Sequence, residues 1–466
     1  MTGVTDGMGR ADGDPGTGAA PALWSSRLAF ILAAVGSAVG LGNIWKFPYM
    51  AGTGGGSAFV LVYLGCVLLV GVPVLMSELM LGRMARRGPI TALADLGRRF
   101  GGTPAWGLVG AIGVLAAILI LSFYSVVAGW ALAYVPKLAA GAFTGADAER
   151  SGAAFAALLA DPAALFLWHT LFIGLTVAIV MRGVRSGIEV AVTWLMPLLF
   201  IMLLILVGYA VAAGDFARGA AYLFTPDFSK VTPGLVIAAA GQAFFSLSLG
   251  LGAMLAYGAY LPDDVSIPRT AVTIAAADTA CALAAGLAIF PIVFAHGLDP
   301  AEGPGLVFVT LPVAFGGMPF GALFGTVFFV LIGIAALTSA VALLEPAVAA
   351  LQDRVRIGRV GLTAGFGAFA WLFGLLTVFS FNVWADVRPF GDGRTLFDLI
   401  DWFTANLLIP LGATLIAVFT GWVVTREAGR TALGLPPGAA HGLWLALVRY
   451  VAPIAILVIA WRKIVG

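Results

Sequence analysis

The sequence predicts an all-α integral membrane protein built from two inverted halves. Hydrophobic residues make up 61% of the 466 positions and charged residues only 10%, and the mean hydropathy is +1.04. This composition excludes a soluble globular protein. Eleven apolar runs are long enough to cross a bilayer, and the first and the sixth share a glycine-interrupted pattern. We therefore expect eleven spans, two of them broken.

The apolar runs are separated by short loops that orient them. The runs lie at roughly 25–50, 57–82, 105–137, 162–181, 188–213, 232–260, 270–296, 317–350, 360–380, 399–425 and 441–462. With the N-terminus inside, the cytoplasmic segments hold sixteen Lys and Arg residues and the outer segments eight. Because cytoplasmic loops collect basic residues, this asymmetry predicts a cytoplasmic N-terminus and an external C-terminus.

Several other classes of protein are poor fits to the chain. Residues 1–21 are rich in Gly and Asp and lack the apolar core of a signal peptide, so we expect a disordered tail. Cys66 and Cys281 lie in apolar runs, which predicts neither a disulfide framework nor a metal cluster. No nucleotide-binding or hydrolytic motif occurs, and the charges sort by loop. We therefore expect neither an enzyme nor a nucleic-acid partner.

The first span carries three glycines, an Asn and a Lys within residues 36–48, where a plain membrane anchor would have Leu and Val. Glycine costs a helix interior roughly 1 kcal/mol relative to Ala, so Gly40 and Gly42 are expected to interrupt the helix. Lipid cannot satisfy the backbone groups that such a break frees. The pattern therefore predicts a polar ligand at this point.

The sixth span repeats the pattern, with Leu249-Gly250-Leu251-Gly252 against Val39-Gly40-Leu41-Gly42. Glycines two residues apart do not fit the small-residue helix contact, whose period is four. Two interrupted helices in corresponding places of two halves are typical of a secondary transporter with its binding site near the membrane midplane. We expect that arrangement here.

Five motifs follow one another along the chain in a characteristic order. They are Trp24-Ser-Ser-Arg27-Leu with Gly40-Leu-Gly-Asn-Ile-Trp-Lys-Phe-Pro48, Gly71-Val-Pro-Val-Leu-Met-Ser-Glu78 with Gly82-Arg83, Arg182-Gly-Val-Arg-Ser-Gly187-Ile-Glu189, Gly241-Gln-Ala-Phe-Phe-Ser-Leu-Ser-Leu-Gly-Leu-Gly252, and Leu337-Thr338-Ser339. This set resembles the neurotransmitter:sodium symporter family, and in particular its bacterial amino-acid-transporting branch with eleven transmembrane helices. The resemblance covers residues 24–461. It implies two inverted five-helix repeats (helices 1–5 and 6–10), here residues 22–215 and 216–430, and an eleventh helix in residues 431–466.

The resemblance implies two sodium sites as well. An unwound helix supplies the carbonyl oxygens that a hard cation prefers. The positions that match the first site are the Ala38 carbonyl, Asn43, Ser246 and Asp278. The positions that match the second are the Gly36, Val39 and Ala335 carbonyls with the Thr338 and Ser339 hydroxyls. Taken alone, those two hydroxyls would more readily bond to the preceding helical turn.

Substrate recognition follows from the free amides at the break, which suit a carboxylate. The resemblance places the substrate carboxylate at Leu41, Gly42 and Tyr124, and its ammonium at carbonyls near Ala38, Phe245 and Ser248, with Ser246 and Gly40 adjoining. Gly40 stands where monoamine-carrying members have an acidic residue, so the substrate brings its own carboxylate. The matching side-chain pocket is mostly apolar and consists of Ile120, Tyr124, Phe245, Ser248, Leu251, Ser339 and Leu343. We therefore expect a neutral hydrophobic L-amino acid, branched-chain or aromatic.

Lys46 and Asp401 are the expected outer gate. An unpaired charge at membrane depth costs roughly 2.5 to 3.5 kcal/mol, and a reversible pair across a vestibule supplies a partner. Phe245 and Tyr124 would form the lid over the substrate. Asp401 could instead stabilise the N-terminus of its own helix.

The inner gate departs from the family. Its usual Arg shortly before Trp24 is missing, because residues 20–23 read Ala-Pro-Ala-Leu, although its usual partner Asp353 is present. We therefore expect Trp24 and Tyr260 to close this side by packing.

In the fifth span, Gly187 and Pro197 permit local unwinding. The resemblance links this pair to a water path from the cytoplasm to the second sodium site. A proline kink that only shapes packing would explain the same residues equally well.

Asp278 and Ala282 stand where many members have Asn and where chloride-dependent members have Ser. A fixed carboxylate beside the sodium site would replace a bound chloride, so we expect chloride-independent symport in a bacterial inner membrane. Asp278 could instead be protonated. A proton-coupled amino-acid transporter is one alternative, since Asp278 and Glu78 are buried carboxylates that can titrate. A non-transporting amino-acid sensor on the same fold is another.

Overall fold

The structure is a computed structural model that describes residues 24–465 except 304, 353 and 392. The predicted N-terminal tail and the gate residue Asp353 lie outside the described residues. Within the described part of the chain every secondary-structure element is a helix. The predicted fold class, an all-α membrane protein with broken first and sixth helices and an eleventh helix, is confirmed. The boundaries proposed for the two repeats stay predictions.

All eleven predicted spans correspond to helices. Nine are single helical stretches, Ser57–Ala85, Pro104–Ala139, Pro162–Met181, Val184–Ala213, Ile267–Ala295, Gly321–Gln352, Arg359–Ser380, Leu396–Val423 and Ala439–Arg462. The first span consists of Arg27–Ala38 and Gly42–Thr53, which are bent by 50° at their junction. The sixth consists of two short helices, Pro233–Ser246 and Ala253–Ala259. Shorter helices connect the spans, namely Pro89–Gly101, Ala148–Ala160, Phe216–Phe224, Leu306–Gly317 and Arg426–Leu433.

The two breaks have different backbone causes. In the first span, Val39 adopts an extended conformation (φ −75°, ψ 103°), which ends the helix after Ala38. In the sixth, Ser248, Gly250 and Gly252 have positive φ angles of 54°, 78° and 73°. Glycine adopts this region without steric cost, whereas serine does so under strain. The glycine pattern therefore acts directly in the sixth span, while in the first span the glycines flank the residue that turns.

Polar side chains satisfy the backbone groups that the breaks free. The Glu78 carboxylate accepts a hydrogen bond of 2.7 Å from the Gly250 amide. The Gln242 side-chain amide donates to the Gly42 carbonyl at 2.7 Å. The Ser248 hydroxyl donates to the Ser37 carbonyl at 3.0 Å and so joins the two breaks. Because lipid offers no such partners, these bonds allow irregular backbone to persist at membrane depth.

The third and eighth spans pack along each other at the centre of the bundle, and the first span lies against the eighth. The chain crosses between two ends of the bundle, which we call the Trp24 end and the Asp401 end after a residue at each. The breaks in the first and sixth spans lie between these ends. The fold therefore places irregular backbone from two helices in the middle of the bundle.

Candidate functional site

A small cavity of about 30 Å³ lies between the two breaks. Its walls include ten of the twelve substrate-binding residues that the sequence predicts. These ten are Ala38, Gly40, Gly42, Ile120, Tyr124, Phe245, Ser248, Leu251, Ser339 and Leu343. Of the other two, Leu41 lines the neighbouring cavity and Ser246 contacts Asp278. We call this cavity the central pocket.

Gly40 lies at the closest approach between the first, third and eighth spans. A Cβ atom at this position would lie 2.3 Å from the Ser339 hydroxyl and 2.9 Å from the Tyr124 hydroxyl. The Leu41 amide next to it donates to the Tyr124 hydroxyl at 3.2 Å. A side chain here would have to displace both hydroxyls, which gives the glycine at this position a steric basis. The amide and the phenol meet where a substrate carboxylate is predicted to bind.

The residues predicted for the first sodium site form one cluster around Asp278. The Asn43 amide donates to an Asp278 carboxylate oxygen at 2.7 Å, and the Ser246 hydroxyl lies 2.8 and 2.7 Å from the two oxygens. Tyr63 adds a further hydrogen bond of 3.2 Å to the carboxylate. The side-chain oxygen of Asn43 accepts from the Gly40 amide at 3.2 Å. The cluster therefore contains one buried carboxylate held by three donors.

The residues predicted for the second sodium site lie where the first and eighth spans meet. The Ser339 hydroxyl is 3.3 Å from each of three carbonyl oxygens of the first span, those of Gly36, Ser37 and Val39. The Thr338 hydroxyl bonds to its own helix, at 3.0 Å from the Ala335 carbonyl. The two expected arrangements therefore both occur. The Ser339 hydroxyl contacts the first span, and the Thr338 hydroxyl bonds to the preceding turn of its own helix.

Both clusters consist of hard oxygen donors. Carboxylate, hydroxyl and carbonyl oxygens are the ligands that alkali and alkaline-earth cations prefer. Transition metals favour nitrogen and sulfur donors, whereas the hydrogen bonds within these clusters are made mostly by oxygens. The donor chemistry therefore fits a transported sodium ion.

A larger cavity of about 340 Å³ lies between the central pocket and the Asp401 end. We call it the vestibule. Phe245 and Tyr124 line both cavities and so lie between them; their role as a lid stays a prediction. Lys46 and Asp401 both line the vestibule, but neither belongs to an ion pair among the residues that the structure describes. Instead, the Lys46 ammonium lies over the Phe245 ring, 4.3 Å from its centroid.

The Trp24 end is closed by interlocking polar and aromatic contacts. The Trp24 backbone amide donates to the Tyr260 carbonyl at 3.2 Å, and its indole donates to the Tyr257 carbonyl at 3.4 Å. The Tyr260 hydroxyl donates to the Glu345 carboxylate at 3.1 Å, and Arg359 forms a two-pronged ion pair with the same carboxylate. The expectation of closure by packing alone is therefore incomplete, since a buried ion pair supports the tyrosine.

Sequence reasoning missed several residues of the site. Tyr63 contacts the Asp278 cluster, and Ser37 lines the central pocket with a buried hydroxyl that has no hydrogen-bond partner within the described structure. Glu345 and Arg359 complete the Trp24 end. A tyrosine or serine in an apolar run carries no distinctive signal. The fully buried Glu345 was the one available clue, because a carboxylate within a span requires a partner.

The two broken helices, the pocket between them and the oxygen clusters define a secondary transporter of the membrane. The profile of the Sodium:neurotransmitter symporter family matches residues 22–144 and 160–465, and the chain belongs to that family. It is therefore a sodium-dependent symporter and a transporter, not an enzyme.

Individual relatives agree with this assignment. An uncharacterized sodium-dependent transporter of Bacillus subtilis (strain 168) is 39% identical over 94% of this chain and 97% of its own length. A second uncharacterized sodium-dependent transporter, from Haemophilus influenzae, is 34% identical over 94% of this chain and 96% of its own. The crystal structure of MhsT in complex with L-phenylalanine superposes with a TM-score of 0.87 at 42% identity, covering 95% of this chain and 99% of that one.

Proposed function

We propose that this protein imports neutral hydrophobic L-amino acids, branched-chain or aromatic, together with sodium by alternating access. The observation that carries the proposal is the composition of the central pocket. Among its described lining residues none is charged, and Ile120, Leu251 and Leu343 supply apolar walls. The Leu41 amide and the Tyr124 hydroxyl, which bond to each other at 3.2 Å, lie at one side, where a carboxylate would accept from both. The L-phenylalanine in the similar MhsT structure supports this substrate class.

We propose two sodium ions per cycle. One would bind at the Asp278 cluster, with the substrate carboxylate as a further ligand, and the other between the first and eighth spans at Ser339 and Thr338. The Asn43 NH2 group donates to the Asp278 carboxylate at 2.7 Å, so it would have to move aside for a sodium ion to bind there. Two positive charges crossing 100 mV yield roughly 4.6 kcal/mol. That energy corresponds to an accumulation on the order of a thousandfold.

We propose that transport is independent of chloride. The Asp278 carboxylate lies among Tyr63, Ser246 and Asn43, and its fixed charge stands next to the proposed sodium ion. The Asp278 carboxylate would therefore neutralise the sodium ion and repel a chloride ion at the same place. Replacing chloride by gluconate should leave sodium-driven uptake unchanged. In Asp278→Asn, any uptake that remains should rise when chloride is present.

The proposed location is the bacterial inner membrane, with the Trp24 end in the cytoplasm and the Asp401 end outside. The excess of Lys and Arg in the loops of the Trp24 end supports this orientation. A cysteine introduced at exposed Arg388 should react with an impermeant thiol reagent in intact cells, and one introduced at exposed Arg185 should react only after the cells are opened. The opposite labelling pattern would reverse the orientation.

The test of the substrate class is binding of a panel of labelled amino acids to the purified protein in sodium, with potassium as the control cation. We expect tight binding of leucine, phenylalanine or tryptophan in sodium and loss of binding in potassium. Gly40→Asp should abolish binding, since its side chain would occupy the space between Ser339 and Tyr124. Gly152→Asp, in open space on the connecting helix Ala148–Ala160, is the matched control.

Two outcomes would redirect the proposal. Binding that ignores sodium but follows the pH gradient in vesicles would indicate a proton-coupled transporter. Sodium-dependent binding without uptake into vesicles would indicate a sensor on the same fold. Charged amino acids as the preferred ligands would contradict the proposed substrate class.

A further inference from the structure

The start of the first span is tied to the start of the fifth. The Ser25 backbone amide donates a hydrogen bond of 3.2 Å to one carboxylate oxygen of Glu189, and the Ser25 hydroxyl donates to the other oxygen. The two residues are 164 positions apart in the sequence. A single half-buried carboxylate therefore binds a distant backbone group and its side chain at once.

Glu189 lies in the second turn of the fifth span, Val184–Ala213, and beside the start of the first span. It directly precedes the α-helical part of the fifth span, Val190–Ala213. Through Ser25 it also lies beside the start of Arg27–Ala38, whose N-cap is Ser26. Helix N-termini carry partial positive charge, so the Glu189 carboxylate stabilises Arg27–Ala38 only while the first and fifth spans stay together. When the first span moves away, Arg27–Ala38 loses this anion.

The turn that ends at Glu189 is held by its surroundings. Residues Val184–Glu189 form a π-helical turn, one of several in the described part of the chain. A Cβ atom on Gly187 would lie 2.1 Å from the Ile179 carbonyl oxygen, so the turn packs directly on the fourth span. Arg359 also donates to the Val180 carbonyl at 3.1 Å. The first span is thus attached to a segment that is itself clamped.

From these contacts we propose that Glu189 is a positioning residue of the transport cycle, a tether that holds the first half of the first span closed at the Trp24 end. The Ser25 bonds must break before Arg27–Ala38 can swing away from the fifth span. The Val184–Glu189 turn stays packed on the fourth span, so it is the fixed end of the tether. The inference rests on the alternating access proposed above, but the tether itself can be tested without transport.

Hydrogen exchange measured by mass spectrometry tests the tether in the full-length protein. In Glu189→Met, which keeps the side-chain length but removes the charge and both acceptors, exchange in residues 24–38 should become roughly tenfold faster in potassium. Glu189→Gln keeps one acceptor and should fall between Met and wild type. Exchange at the Asp401 end, in residues 396–403, should stay unchanged, whereas a general loss of stability would raise it as well.

Two further variants separate a tether from a merely structural acid. Glu149→Met removes a glutamate from the first turn of another helix and should not change exchange in residues 24–38. Ser25→Ala keeps the amide but loses the hydroxyl, so we expect about threefold faster exchange in the wild-type background. In the Glu189→Met background the same substitution should add nothing, because the bond is already gone. Additive effects, or wild-type exchange in Glu189→Met, would overturn the proposal.

The sodium dependence of exchange tests the transport function separately. Sodium bound between the first and eighth spans should slow exchange of residues 24–38 in the wild-type protein. If sodium and potassium give the same exchange in the wild type, the proposed sodium coupling fails. The comparison of Glu189→Met with the wild type in potassium still decides the tether.

Discussion

The two ends of the molecule are closed by different kinds of contact. At the Trp24 end, backbone hydrogen bonds and the Glu345–Arg359 ion pair join the first, sixth, eighth and ninth spans. At the Asp401 end, a vestibule of about 340 Å³ reaches down to the rings of Phe245 and Tyr124. The central pocket is therefore closed off from the Trp24 end by several bonds, whereas only two aromatic rings separate it from the vestibule.

This difference shows which end needs more free energy to open. Separating the partners of a buried ion pair costs much free energy, because each charge is then left in surroundings that solvate it poorly. An aromatic ring can turn at a cost of one or two weak contacts. We infer that the Phe245 and Tyr124 rings move at a smaller cost in free energy than the Trp24 end, which opens only when several bonds break together. The predictions below test that ranking.

The largest effect is expected from Arg359→Met. Glu345 is 0% exposed and Arg359 17%, so the substitution leaves a buried carboxylate without its cation. Breaking such a pair destabilises a protein by about 3 to 5 kcal/mol. Denaturant unfolding in mixed micelles measures the loss, and the Trp24 end should become accessible to thiol reagents.

The matched control is the double variant Arg359→Met with Glu345→Gln. Because no charge is then left buried, most of the stability should return. Equal loss in the single and the double variant would show that Arg359 acts through packing or through Val180, and that the Trp24 end is not locked by charge.

A smaller effect is expected from Tyr260→Phe. The hydroxyl donates to Glu345 at 3.1 Å, and a hydrogen bond to a charged group contributes about 1.5 to 3 kcal/mol. The ring and its contact with Trp24 remain. The midpoint temperature of thermal unfolding should therefore fall less than in Arg359→Met. The Trp24 end should again become more accessible. We call Tyr260, Glu345 and Arg359 the lock of the Trp24 end. An unchanged unfolding midpoint would show that Tyr260 does not contribute to it.

The comparison of the two ends also shows what the sequence can and cannot predict. Hydropathy predicted all eleven spans, because each needs a long apolar run whatever its partners are. The glycine pairs predicted the breaks, although in the first span the turn itself falls at Val39. Membrane spans and helix breaks can therefore be predicted from local composition.

Pairings between distant spans were harder to predict. The lock at the Trp24 end was missed because Glu345 and Arg359 become neighbours only through the packing of the eighth and ninth spans. The substrate residues were predicted through the family resemblance and gather in one pocket, but Ser37 and Tyr63 were overlooked since their roles depend on which way a hydroxyl points. The roles of the predicted residues in binding remain predictions.

Substitution of the lid residue Phe245 should change substrate affinity more than stability, in contrast to substitutions at the Trp24 end. Phe245→Leu removes a ring that separates the central pocket from the vestibule and that lies 4.3 Å from the Lys46 ammonium. A cation–π contact contributes about 0.5 to 2 kcal/mol, so substrate affinity should fall by roughly tenfold. The unfolding midpoint should stay near that of the wild type. A large loss of stability would mean that the ring is part of the core and not a lid.

The smallest effect is expected from Asp401→Asn. The side chain lines a wide cavity and forms no ion pair with Lys46 among the described contacts, and well-hydrated pairs contribute about 0 to 1 kcal/mol. Substrate affinity in sodium should therefore change by less than about fivefold. Lys46→Gln should cost more, because it also removes the contact with Phe245. If Asp401→Asn costs as much as Lys46→Gln, and the double variant no more than either, the two charges pair in the substrate-bound state. The Asp401 end would then acquire, on binding, the kind of charged lock that the Trp24 end already has.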